Sequence, residues 1–156
     1  MACLNSMNDV VMNGAPASAL HVTIDQQSAL FPKHALHMRM TDDHDELRAV
    51  TRYGYPGAIA ASVIVMTLDG VPLIYNGMEV GDSTQTRAPA LFEPQKIFWQ
   101  AGDWHPEYLK FYTAMAALRR EHPALQQGQV EWIHNSDEQH VVTYVRSVAG
   151  MSSLSL

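Results

Sequence analysis

Ala35-Leu36-His37-Met38-Arg39-Met40, running into Thr41-Asp42-Asp43-His44-Asp45-Glu46, is the stretch on which the fold turns. The first six residues alternate well enough for a short strand, and the polar run then lies at its C-terminal end. Downstream, Pro56 suits the first turn of a helix, residues 58–68 are apolar on almost every side, and Asp69-Gly70 closes the run. Val71-Pro72-Leu73-Ile74-Tyr75 reads as a second, buried strand, with Pro72 near its start, where a missing donor is tolerated. Leu36 and Val71 are 35 positions apart (71 − 36), the length of one strand-helix-strand unit. The expected fold class is α/β, with two adjacent parallel strands joined by a right-handed crossover.

On the N-terminal side, residues 18–31 form an expected helix with Leu20, Ile24 and Phe31 near one face, Ser18 as its cap and Pro32 as its stop. On the C-terminal side, a loop rich in Gly, Ser, Thr and Pro runs from Asn76 to about Asp103. An amphipathic helix follows, with Pro106 at its start and Tyr108, Phe111, Tyr112, Met115 and Leu118 on one side. Beyond Gly128, residues 130–133 and 141–145 flank the polar turn Asn135 to Glu138 and read as a β-hairpin. The tail from Ala149 to Leu156 is small and Ser-rich, with no further partner strand expected.

Composition excludes several functions. The 156 residues carry a formal charge of −6, and the ten Lys and Arg are scattered, whereas nucleic acid demands clustered cations. Neutral or polar substrates fit better. Cys3 is the lone cysteine, so no internal disulfide forms, and no helix or basic neighbour is expected to activate its thiol. The first twenty residues contain Asp9 and no basic cluster before an apolar run, so they do not read as a secretory signal, and the chain as it stands is expected to be cytoplasmic. Residues 58–68 are too few to span a bilayer, so no membrane partner is expected. No His-x-x-x-His pair occurs, His34 and His37 lack a nearby third ligand, and neither a Gly-x-Ser-x-Gly elbow nor a glycine-rich phosphate loop is present. Trp99, Trp104 and Trp132 could stack on sugar rings, but packing in a core or interface is the expectation.

Two polar clusters remain, each after an expected strand. The first, Asp42 to Glu46, lies where parallel barrels place catalytic groups, although an acidic run can equally be a solvated loop. The second, Tyr75-Asn76-Gly77-Met78-Glu79-Val80-Gly81, has two glycines that allow a sharp turn, and its Glu79 could either serve a site or order the loop through backbone hydrogen bonds.

Together these segments resemble the alpha-amylase family, glycoside hydrolase family 13. Arg39 to Arg48 looks like the family's seventh-strand motif, with its Asn-His-Asp core, and Gly70 to Gly81 looks like the eighth-strand motif Gly-x-Pro-x-x-Tyr-x-Gly-x-Glu-x-Gly. Leu118-Arg119, His122-Pro123-Ala124-Leu125 and Gly128 match the family's last barrel helix and the exit into its C-terminal β-domain. The resemblance implies the C-terminal part of a (β/α)8 barrel over residues 1–125, with strands seven and eight, and the truncated start of the β-domain over 126–156.

By the same resemblance, Asp45 is the catalytic carboxylate that stabilises the transition state, His44 binds a sugar hydroxyl at the cleavage point, and Arg48, Tyr75 and Glu79 support the substrate. The implied activity is that of a retaining α-glucoside hydrolase or glucanosyltransferase in carbohydrate metabolism, acting on an α-glucan or oligosaccharide. Two positions depart from the pattern. Asp43 stands where Asn is usual and raises a neighbouring carboxylate pKa by like-charge repulsion, and Met40 replaces an aromatic.

A complete barrel takes about 250 residues, and the family's nucleophile and acid/base motifs, after strands four and five, are not found upstream of Ala35. The 156 residues alone are therefore expected to be inactive. No cofactor is identifiable, and any calcium site of the family is expected in the missing part. The rival reading is a non-enzymatic piece that completes a barrel in another chain, or a degenerate product, with self-association through uncovered barrel edges.

Overall fold

A computed structural model describes residues 2–33, 35–85, 94–148 and 154–155. His34, residues 86–93 of the long loop and most of the Ser-rich tail lie outside them. The elements are α1 (Ala2–Asn13), α2 (Ser18–Leu30), β1 (Met38–Arg39), α3 (Ala49–Thr67), β2 (Val71–Pro72), a 3-10 turn (Met78–Val80), α4 (Ala101–Trp104), α5 (Pro106–Glu121), α6 (Pro123–Gln127), β3 (Gln129–Trp132), β4 (Tyr144–Ser147) and β5 (Leu154–Ser155). They divide into two compact units. Unit 1 takes Met1–Arg39, Thr67–Val71 and Arg119–Leu156, and unit 2 takes Met40–Met66 and Pro72–Leu118.

In unit 1, α1 packs on α2, burying Cys3, Leu4 and Met7 from one helix and Leu20 and Ile24 from the other. The spacing of three and four residues puts each set on one helical face. α2 has the expected extent, but Ser18 is not its cap. Residue 17 holds that position without a side-chain bond, and the Ala17 and Ser18 amides donate to the Gln139 and Glu138 carbonyls instead. The orphan amides of the first turn thus find backbone acceptors in the turn after β3.

β1 and β2 are hydrogen-bonded neighbours, with the Val71 N–H donating to His37 O at 2.9 Å. Each is only two residues long, shorter than expected, and Val71 is half exposed rather than buried. A two-stranded ribbon has no further strand to cover its apolar side chains, and Leu36 and Met38 are exposed too. Gly70 makes the close approach possible. Its φ is +97°, and a Cβ there would lie 2.1 Å from His37 O.

The hairpin forms as β3 paired antiparallel with β4, Gln129 opposite Ser147 and Trp132 opposite Tyr144. Its second strand starts later than expected, because the Asp137 carbonyl accepts from the His140 and Val141 amides and holds that segment in a turn. β5 adds a third antiparallel strand, Leu154 opposite Arg146, where no partner was expected. Trp132 is a packing residue, stacked on His21 at 4.7 Å with its Nε1–H donated to Asp25 Oδ1 at 3.0 Å.

In unit 2, α3 begins seven residues before Pro56, but Gly54 (φ 71°, ψ 167°) breaks it, so Pro56 starts a second helical segment where its missing donor is harmless. Ala49, Val50, Ala58, Met78, Tyr108 and Tyr112 form the core, with Tyr53, Tyr55, Ile59, Tyr75 and Phe111 around it. Its phenols are satisfied: Tyr112 bonds Ser62 Oγ at 2.8 Å, and Tyr108 donates to Tyr55 O at 2.5 Å. Trp99 and Trp104 are exposed and so are not core residues. Among the described residues no helix is long and apolar enough to cross a membrane.

Gly70→Ala meets both a positive φ and a backbone clash, whereas Gly14→Ala, at φ +73°, meets open space. In urea unfolding, Gly14→Ala is expected to lose about 1 kcal/mol and Gly70→Ala about 3 kcal/mol or more.

Candidate active site

Loop 42–48 and the turn after β2 both belong to unit 2. The loop starts from Met40, Thr41 and Asp42, which are all buried, so the alternation of the preceding strand has ended by then. Asp42 turns one oxygen, Oδ2, onto the Ala49 N–H at 2.8 Å, tying the loop's beginning to the start of α3. Glu46 pairs with Arg52 at 2.5 Å and ties the middle. Arg48 ties the end, donating to Asn76 O at 2.8 Å and to Asp82 Oδ2 at 3.1 Å.

Between these ties the chain rises into solvent. Asp43 Oδ1 accepts the Asp45 N–H at 2.8 Å, a local turn that fixes the tip. His44 Nε2 lies 3.3 Å from Asp45 Oδ2, and their side chains are 44% and 54% exposed. An exposed carboxylate flanked by an imidazole can accept hydrogen bonds from polyol hydroxyls while its partner donates or accepts another. Asp43, His44 and Asp45 place donor atoms within 4.8 Å of one another, the one such trio among the described residues that could share a cation. Being exposed and tied into a local turn, these groups need no ion to explain their arrangement.

The second cluster is brought to the same unit. The Arg48 guanidinium sits 4.9 Å over the Tyr75 ring, a cation–π contact. Glu79 accepts the Gly77 N–H at 2.8 Å, the loop-ordering role foreseen as its alternative. Gly77 has φ +94°, and a Cβ there would lie 3.0 Å from Arg48 Nη2. Of the five residues singled out, His44 and Asp45 therefore pair with each other, and Arg48 and Tyr75 pair with each other. Among the described residues no hydrogen bond or ion pair links Glu79 to Asp45.

Two carboxylates are buried here that the sequence did not single out for burial. Asp82 is buried, and besides Arg48 it accepts the Thr84 N–H at 3.0 Å and the Thr84 hydroxyl. The signal was Arg48 itself, since a guanidinium drawn inward demands a carboxylate. The other is Asp42, 1% exposed. Burial pushes its carboxyl up to about 6; the Ala49 hydrogen bond, Arg48 and Arg52 oppose this, and Asp43 adds only a minor push. The like-charge push of Asp43 on Asp42 is thus small.

No family model matches the chain. Over 117 residues, 74% of this chain and 16% of the relative, it is 32% identical to alpha-amylase MalA of Haloarcula japonica. Over 123 residues, 76% of this chain and 20% of the relative, it is 29% identical to neopullulanase 2 of Thermoactinomyces vulgaris. A solved cyclomaltodextrinase shares its fold with a TM-score of 0.81 over 96% of this chain and 26% of that one, at 22% identity. The chain spans a fifth or less of the length of the curated relatives it matches.

Two outcomes follow from the buried carboxylates. Because Asp42 binds its proton more tightly folded than unfolded, its contribution to stability is full below pH ~4, falls as pH rises towards about 6, and is flat above. Asp42→Asn keeps an acceptor for Ala49 but cannot ionise, so its stability relative to the parent chain should climb by on the order of 2 kcal/mol over that interval, measured by urea unfolding. Arg48→Met strands the buried Asp82 carboxylate and should cost about 3 kcal/mol. Adding Asp82→Asn should return part of that loss in a double-mutant cycle.

Proposed function

We propose, since the chain belongs to the alpha-amylase family of glycoside hydrolases, that it supplies the substrate-facing carboxylate Asp45 to a retaining α-glucoside hydrolase or glucanosyltransferase. On this reading residues 1–125 are the C-terminal part of a (β/α)8 barrel, β1 and β2 are its seventh and eighth strands, and residues 126–156 begin the C-terminal β-domain. The observation that carries it is the Arg48 bridge. The guanidinium binds Asn76 O and Asp82 and covers Tyr75, so the two motif-bearing loops are tied together, which supports reading them as parts of one site.

Within that piece the roles divide. Asp45 stabilises positive charge developing at the anomeric carbon and accepts sugar hydroxyls, and His44 beside it binds the hydroxyl next to the cleaved bond. Arg48 and Tyr75 hold the wall of the subsite, and Glu79 fixes the turn that carries them. Retaining hydrolysis also needs a nucleophile and an acid/base about 5 Å apart on opposite sides of the scissile bond. Asp43 is turned onto the Asp45 amide, Glu46 onto Arg52 and Glu79 onto Gly77, so none of the three is poised for either role. Residues 1–156 by themselves bind an α-glucan weakly and do not cleave it.

The rival, a non-enzymatic piece that associates through its edges, draws on the exposed Leu36, Met38 and Val71 of the β1–β2 ribbon. It requires concentration-dependent association in sedimentation together with no response to glucan.

Titration of the labelled chain with maltoheptaose, followed by NMR, should shift residues 43–46 and 75–79, and Asp45→Ala should remove the response. No turnover of maltooligosaccharides or of an activated aryl α-glucoside is expected. Absence of any shift would defeat the glucan-site reading, and turnover abolished by Asp45→Asn would show the 156 residues to be a complete enzyme.

A further inference from the structure

Asp42 serves no sugar in the reading above, yet it is among the most deeply buried side chains of unit 2. We propose that Asp42 is the positioning residue of the candidate site: one carboxylate oxygen clamps the Asp45 loop to α3, and the other is hydrogen-bonded by a water held in a small cavity beneath the loop.

The clamp is geometric. Seven positions separate Asp42 from Ala49, and the 2.8 Å bond between Oδ2 and the Ala49 N–H closes the loop that carries Asp43, His44 and Asp45. The acceptor sits at the positive end of α3, where a carboxylate is favoured. The opposite oxygen, Oδ1, is buried and has no hydrogen-bond partner among the described residues. A buried acceptor left bare costs about 1–3 kcal/mol, so a partner is called for. Asp42 lines a cavity with Met78, Asp82, Tyr108 and Tyr112 that has room for about one water. Tyr108 donates to Tyr55 O, Tyr112 shares with Ser62 Oγ a bond in which either hydroxyl can donate, and Asp82 accepts from Arg48 and Thr84; none of these bonds reaches Asp42 Oδ1. A water in that cavity supplies the missing donor.

The groups bearing on Asp42 are Arg48, Arg52 and Asp43 on the loop and α3, Asp82 after β2, and Tyr112 and Tyr108 on α5. Either protonation state is served by the same water, which donates to the carboxylate or accepts from the carboxylic acid. The clamp therefore persists on both sides of the carboxyl's raised midpoint, near pH 6.

What is positioned, Asp45, takes its meaning from the proposed function, but the clamp can be tested without sugar. Amide exchange by NMR is compared in the full chain, Asp42→Asn and Asp42→Leu. Asp42→Asn keeps the acceptor and should hold exchange at Ala49 and residues 43–48 within about threefold of the parent, whereas Asp42→Leu should speed it at least tenfold while residues 58–65 are unchanged. The Ala49 amide shift should titrate near pH 6 in the parent chain and not in Asp42→Asn, and a water cross-peak should appear at the cavity residues. Parental exchange in Asp42→Leu, or equal acceleration in both variants, would overturn the clamp. A missing water cross-peak would overturn the cavity water. If Asp42→Leu does not fold, the Asn variant and the titration decide. A clamp that holds while maltoheptaose leaves the loop unmoved would defeat the functional reading alone.

Discussion

Three arginines converge on the end of α3, and unit 1 depends on that convergence. Arg146 donates to Thr67 O at 2.6 Å, Arg119 to Gly70 O at 2.5 Å, and Arg39 to Asp69 O at 3.0 Å and to the Asp69 carboxylate at 2.8 Å. Thr67 O ends α3 and has no intrahelical donor, so the Arg146 cation satisfies both it and the negative end of the helix dipole, while Asp69 and Gly70 lie just past the helix. Arg39 comes from β1, Arg119 from α5 and Arg146 from β4, so one short segment collects residues from the far ends of the sequence. Arg39 and Arg146 are almost wholly buried, and burial disfavours the charges of Arg119 and Arg146 while Asp69 supports both. Asp69 is the carboxylate that faces these guanidiniums among the described residues. Backbone carbonyls provide most of the remaining compensation, including Gly128 O for Arg146 at 2.7 Å.

The same logic runs through unit 2 with the signs reversed. There buried carboxylates, Asp42 and Asp82, collect donors from a helix start, a guanidinium and a hydroxyl. Each buried ion is hydrogen-bonded to a backbone group as well as facing opposite charge, the condition under which removing one partner is costly. The Asp45 tip is exposed, and the buried ties at Asp42 and Arg48 hold the two ends of the loop that carries it.

Much of this was legible before any coordinates. The apolar run to Leu68 followed by Asp69-Gly70 marked the end of α3, the spacing from Tyr108 to Leu118 marked α5, and the Val130 and Val145 runs marked the hairpin. What was not legible has physical causes. α1 carries its apolar residues among Asn and Ser, and its buried face, Cys3, Leu4 and Met7, gains meaning only against α2. The strands were read too long because the apolar character of Leu36 and Ile74 anticipates cover that this chain does not provide. β5 escaped because Leu154-Ser155 has no pattern of its own and is recruited by the free edge of β4.

The site shows the same division. The motif residues stand out in the sequence through their types and spacing. The burial of Asp42 and Asp82 does not, because a carboxylate's burial depends on what the chain folds over it. In the run Asp42-Asp43-His44-Asp45-Glu46, four acidic residues look interchangeable as text, yet one is buried against the Ala49 amide, one forms a turn, one is exposed beside His44 and one pairs with Arg52. The buried one is selected by position alone. Asp42 directly follows the buried Met40 and Thr41 and lies within reach of the Ala49 amide, so it takes the inward place, and each later acid is carried further out by the turn that Asp43 makes.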